Sequence, residues 1–165
     1  MTRRTLLEVI SALGVIAGLV FVGLEIRQAA VATRAATVLQ LKQTWVELNL
    51  TLASSPEISR ALVVWGEEPY ATLDLDTRMR AAAFYRALFY SISNAHSQFV
   101  LGTLDYDEWL PHLRDIASLS AQANTWAFWE DWGHIYSDRF QGLMDSLRTA
   151  NYDLSRTGRD AGTPP

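Results

Sequence analysis

Apolar and polar positions divide the chain into two regimes. From Val9 to Leu24, sixteen successive residues carry no charge. Extended back to Thr5 across Glu8, the run reaches twenty residues. A helix of that length spans about 30 Å, the thickness of a bilayer's hydrocarbon core. After Arg27 the pattern changes. Val31, Ala35, Val38, Leu41, Trp45, Leu48 and Leu52 recur at spacings of three and four, with polar residues between them. No Gly or Pro falls between Arg27 and Ser55. The pattern predicts one helix from the apolar run to about Ala53, roughly 70 Å long at the α-helical rise.

Further helices follow from caps and periodicity. Ser54-Ser55-Pro56-Glu57 reads as a helix start, and Gly66 as that helix's end. Asp74 is expected to cap a third helix ending before Gly102, with Met79, Phe84, Leu88, Ile92, Ala95 and Phe99 inward and Tyr85 and Phe89 widening the stripe. Asp105-Tyr106-Asp107-Glu108 has a capping-box pattern and opens a fourth helix. Trp109, Leu113 and Ile116 face inward there, and Pro111 is expected to kink the helix or delay its start. Ser120 to Asn124 is a weak break. A fifth helix carries Trp126, Phe128, Trp129, Trp132, Ile135 and Tyr136, and a sixth, capped by Ser137, carries Phe140, Leu143, Met144 and Leu147. No strand pattern or internal repeat is visible. The fold class is therefore all-α: one long N-terminal transmembrane helix continuing into a bundle of about five further helices. The expected organisation is an anchor over 1–28, a helical domain over 29–149 and a disordered tail over 150–165.

The N-terminal run has two rival readings. Thr2-Arg3-Arg4-Thr5-Leu6-Leu7 resembles the start of a twin-arginine leader, and Ala30-Val31-Ala32 offers a cleavage site. Glu25 and Arg27, between the apolar run and that site, argue against a cleaved signal. The other rival is the buried helix of a soluble protein. Orientation is not set, because Arg3 and Arg4 on one side face Arg27, Arg34 and Lys42 on the other. One stripe of this helix holds Ser11, Gly14, Gly18 and Glu25, with a GxxxG at Gly14–Gly18. Small residues let helices approach closely in lipid, so this face is the expected helix–helix contact.

Composition narrows the function classes. The net charge of −4, with scattered arginines, argues against nucleic-acid binding. The absence of cysteine excludes disulfides, thiolate metal sites and a cysteine nucleophile. No Walker loop, GxSxG or GxGxxG is present. Glu130 and His134 share a helical spacing, but a pair falls short of the three or four ligands a metal needs. His112, after Pro111, is expected to be exposed. Asn94 and Gln98, neighbours on the third helix, mark a possible pocket if they point inward. Trp126 lies off the apolar stripe of its helix and is a candidate contact for a partner or for lipid. No cofactor and no catalytic residue is predicted.

Several of these features occur together elsewhere. Ile26-Arg27-Gln28 closes the apolar helix, Ser54 to Glu57 starts the next, and Asn94 sits on an aromatic helix. Gly102-Thr103-Leu104-Asp105 runs on to Trp109, and a Trp-rich helix closes the chain. On these motifs the chain, over about residues 5–148, resembles a widespread group of small bacterial proteins with an N-terminal transmembrane helix and a Trp-rich helical domain. Arg3-Arg4 and Pro111 depart from the pattern. The resemblance implies the architecture and no activity. The expectation is a non-enzymatic single-pass protein of the bacterial cytoplasmic membrane. It would contact membrane lipids and act as an interaction or accessory module, as a homo-oligomer or within a larger membrane-protein complex. The alternatives are a tethered ligand-binding or sensing domain, and an oligomeric pore lined by the Gly/Ser/Glu face.

Overall fold

A computed structural model describes residues 3–150, with side chains from Leu13 to Thr149. The expected tail and the side chain of Ser11 lie outside the described residues. The helices are α1 (Arg3–Ser54), α2 (Pro56–Glu67), α3 (Leu75–Val100), α4 (Tyr106–Ser120), α5 (Ala123–Trp132) and α6 (Asp138–Ala150). Short 3-10 turns occupy Tyr70–Thr72 and Gly133–Ile135. No strand occurs among the described residues. The chain divides into two units, the first ending at Thr37 and the second beginning at Val38.

In the first unit, every side chain described from Leu13 to Ala36 is exposed. Leu13, Val15, Ile16, Leu19, Val20 and Phe21 each keep more than half of their surface open. A helix apolar on all sides belongs in a protein core or in lipid. Here no described side chain of the segment is buried, and by length and composition α1 suffices to cross a membrane.

The second unit has an aromatic core built on α3. Phe89 is fully buried and lies 5.3 Å from Phe128, 5.6 Å from Trp129 and 6.1 Å from Tyr136, ring centroid to ring centroid. Trp65 of α2 packs on Tyr85 at 4.9 Å. Such pairs add directional energy to a large apolar burial. Tyr85 and Phe89 are therefore central to the stripe, and Met79, expected inward, is 55% exposed. Leu41 of α1 is buried, and Val38, Trp45 and Leu48 pack beside it.

Local chemistry sets the helix ends. Ser55 caps α2 by accepting from the Ile58 N–H at 3.3 Å, with Pro56 in the first turn. The Asp74 carboxylate accepts from the Thr77 N–H at 3.0 Å. Gly102 takes φ +72 after α3, a conformation that penalises residues bearing a Cβ. The Gln98 carbonyl then accepts the N–H groups of Thr103 and Leu104. Ser137 accepts from Phe140 N–H and starts α6.

Four details differ from the sequence expectation. α5 ends at Trp132, leaving Ile135 in the following 3-10 turn and Tyr136 extended beyond it. α2 runs past Gly66 to Glu67, because the Glu68 N–H still donates to the Val64 carbonyl at 2.9 Å. Asp105 makes no side-chain cap. Its backbone carbonyl serves the first turn of α4, and Glu108, which would close the box, reaches Lys42 instead. Pro111 sits inside α4 and does not delay its start.

Candidate functional site

Within the second unit, a cavity of about 310 Å³ opens between the C-terminal part of α1 and α4. Val38, Leu41, Trp45 and Val46 form one wall. Leu104, Pro111 and His112 form the other. Lys42, Glu108 and Asp115 supply its remaining polar groups.

His112 is the best-defined polar group there. It is 9% exposed, contrary to the expectation that it faces solvent. The reason is periodic: Trp109, His112, Leu113, Ile116 and Ala117 make one buried stripe of α4, and Pro111 turns outward. Trp45 Nε1–H donates to His112 Nδ1 at 2.9 Å. An indole nitrogen can only donate, so the imidazole nitrogen it meets must be unprotonated. The neutral ring then carries its proton on Nε2. That Nε2–H has no partner among the described residues, and it is not among the buried polar atoms sealed from solvent. It is an open donor fixed in place by the Trp45 bond and by stacking on Trp109 at 6.2 Å.

Electrostatics at the mouth are mildly negative. Lys42 Nζ lies 3.4 Å from the Glu108 carboxylate, an exposed pair of small energetic weight. Asp115 has no ion pair among the described residues, and burial raises its pKa. Counting Lys42, Glu108 and Asp115 with a neutral imidazole leaves a net charge of −1.

Burial lowers the pKa of His112 against the opposing pull of Glu108, and lowers that of His96, with Arg139 adding to the effect. A depressed histidine takes up fewer protons folded than unfolded. Its stabilising contribution is complete above the ordinary value of 6.5 and is lost as pH falls through the folded pKa. The urea midpoint of the domain, read by tryptophan fluorescence, is therefore expected to fall on acidification below about pH 6.5. In His112→Gln, which keeps an acceptor for Trp45, the fall is shallower. A midpoint independent of pH between 7.5 and 5 would contradict this assignment. Asp115, raised by burial, acts in the opposite sense at lower pH.

The residues singled out in the sequence lie elsewhere. Gly14 and Gly18 are exposed on α1, and a Cβ added at either meets nothing within 4 Å. Glu25 is exposed on the same helix. Asn94 is exposed on α3, and Gln98 is half-buried, its side-chain oxygen accepting from the Thr103 hydroxyl. Neither lines the cavity. Trp126 is half-buried, donates to the Ser120 carbonyl at 2.8 Å and carries the Arg148 guanidinium 5.1 Å above its ring. Glu130 pairs with Arg148 at 2.9 Å, and His134 is exposed in the 3-10 turn. Among the described residues, no three histidine or carboxylate groups converge as metal ligands. Sequence reasoning missed His112 and Asp115; the 109-112-113-116-117 spacing was the available signal.

No protein-family model matches the chain, and no curated protein or solved structure shows significant similarity to it.

Proposed function

We propose that the chain is a single-pass protein of the bacterial cytoplasmic membrane, anchored by α1, whose helical domain is a non-enzymatic binding and assembly module. The observation that carries this reading is the apolar segment of α1, exposed on every side from Leu13 onward. Lipid would cover most of that surface. A second copy of the helix, or a helix of a larger complex, would cover the face with Ser11, Gly14, Gly18 and Glu25.

Among the described residues, nothing lies within 4 Å of a Cβ added at Gly14 or Gly18. Substitution there disturbs no packing among the described residues, so a change in association reports on a contact with another molecule. In mild detergent, light scattering is expected to show a self-associated protein. The double substitution Gly14→Ile, Gly18→Ile is expected to weaken association at least tenfold. A wild-type protein that is strictly monomeric and co-extracts no partner would refute the assembly role.

One observation favours a second reading, a tethered domain that holds a small ligand. The cavity has the volume of a small-molecule site and is lined by His112, whose Nε2–H has no partner among the described residues.

A further inference from the structure

We infer that the cavity between Trp45 and α4 takes a small, uncharged organic molecule, ring-sized and apolar, carrying one hydrogen-bond acceptor that meets His112 Nε2–H. The inference deepens the ligand-binding reading and rests on it.

Size, walls and charge each restrict the occupant. At about 310 Å³ the cavity lies at the small end of ligand sites, enough for a substituted ring and too little for a long lipid chain. Its walls are aliphatic or aromatic at Val38, Leu41, Trp45, Leu104 and Pro111, so the body of the ligand is apolar. The net negative charge of the lining disfavours carboxylates and phosphates, and an ammonium, which only donates, cannot satisfy the His112 Nε2–H. The sole ammonium in the lining, Lys42, is already shared with Glu108.

Specificity comes from His112. Its Nδ1 is committed to Trp45, which fixes both the tautomer and the ring orientation. Its Nε2–H is unpaired among the described residues and is not sealed from solvent. A ligand without an acceptor would cut that donor off from water and leave it unpaired, which a site built around a buried donor penalises strongly. A ligand with a carbonyl or hydroxyl oxygen replaces the water. Because the Trp45–His112 bond links the two walls, the donor is in place before the ligand arrives, and little ordering is required on binding.

The test uses the full chain in detergent, labelled with 15N-histidine, and four probes of similar body. These are acetophenone (uncharged, with acceptor), isopropylbenzene (no acceptor), benzoate (anion) and benzylamine (cation), with free concentrations set by dialysis. Acetophenone is expected to shift the His112 Nε2 resonance while Nδ1 stays near its unliganded position. It should bind at least tenfold more tightly than each of the other three. Val46→Trp, at a position 57% exposed and on the cavity wall, is expected to block all probes without unfolding the domain. His112→Phe is expected to erase the preference for acetophenone over isopropylbenzene. If that variant fails to fold, the Nε2 shift and the Val46→Trp result decide alone. If benzoate, benzylamine or isopropylbenzene binds as tightly as acetophenone, a ligand site stands but the chemical class is wrong. If no probe shifts His112 at millimolar concentration, the ligand-binding reading itself falls.

Discussion

Replacing Asn124 with alanine is expected to destabilise the helical domain by about 3 kcal/mol, the cost of stranding three buried or half-buried backbone groups at once. Asn124 is 8% exposed and stands at the start of α5. Its amide nitrogen donates to the Trp65 carbonyl at 2.6 Å and to the Glu68 carbonyl at 2.7 Å. Its amide oxygen accepts from the Tyr70 N–H at 3.1 Å. All three partners belong to the C-terminal end of α2 and the turn after it, where a helix leaves carbonyls without intrahelical partners. A single side chain thus does from a distance what a terminal glycine motif does locally.

The Asn124→Asp variant sharpens the test. It keeps the acceptor for Tyr70 and nearly the same shape, but it points a carboxylate oxygen at two carbonyls. The loss at pH 7 should equal or exceed that of alanine, with partial recovery in acid as the carboxyl protonates. The measurement is urea unfolding followed by tryptophan fluorescence, since Trp65 lies directly beneath the clamp. A loss under about 1 kcal/mol for alanine would mean that water replaces the side chain at little cost. The same turn has a second tie, the Tyr70 hydroxyl donating to Asp131 at 2.6 Å. Burial and that bond raise the Tyr70 pKa to about 12, so the tie persists well into alkaline solution.

These contacts mark where sequence reading stops. Helix order and most ends were legible because their causes are local. Ser55 and Asp74 accept from N–H groups three residues on, and Gly102 supplies its own positive φ. The buried face of α4 is readable at Trp109, Leu113 and Ile116, yet His112 in the same stripe reads as a surface residue, because a histidine next to a proline suggests solvent. In α3, apolar residues cover more than one face, and only the arrival of α2, α5 and α6 makes Phe89 the centre and leaves Met79 outside. Asn124 was unreadable in principle. The carbonyls it serves are 59 and 56 positions earlier, and no local pattern distinguishes a clamp from a loop asparagine. The cavity has the same origin, since Trp45 and His112 are 67 positions apart.

The second large effect is expected in α1. Ile16→Asp should abolish stable membrane integration, whereas Leu24→Asp should be tolerated. The sixteen uncharged residues from Val9 to Leu24 span about 24 Å as a helix, short of a hydrocarbon core of about 30 Å. A span with so little excess length relies on the flanking residues reaching the interface, and it has no spare apolar turn to shift into place. Ile16 lies near the middle of the span, and its side chain is 56% exposed on the isolated helix. An aspartate at mid-bilayer, in place of a favourable isoleucine, shifts insertion by about 3 kcal/mol on translocon scales, more than a hundredfold. Leu24 lies beside Glu25 at the end of the run, where a carboxylate reaches the headgroup region. Carbonate extraction, followed by intact mass of the membrane-bound chain, separates the readings. A full-length wild type that resists extraction, an extracted Ile16→Asp and a retained Leu24→Asp together identify α1 as the anchor. A mature chain beginning after Ala32 would instead identify the run as a cleaved signal. A wild type that extracts freely would mean that another protein, and not lipid, covers the exposed face of the helix.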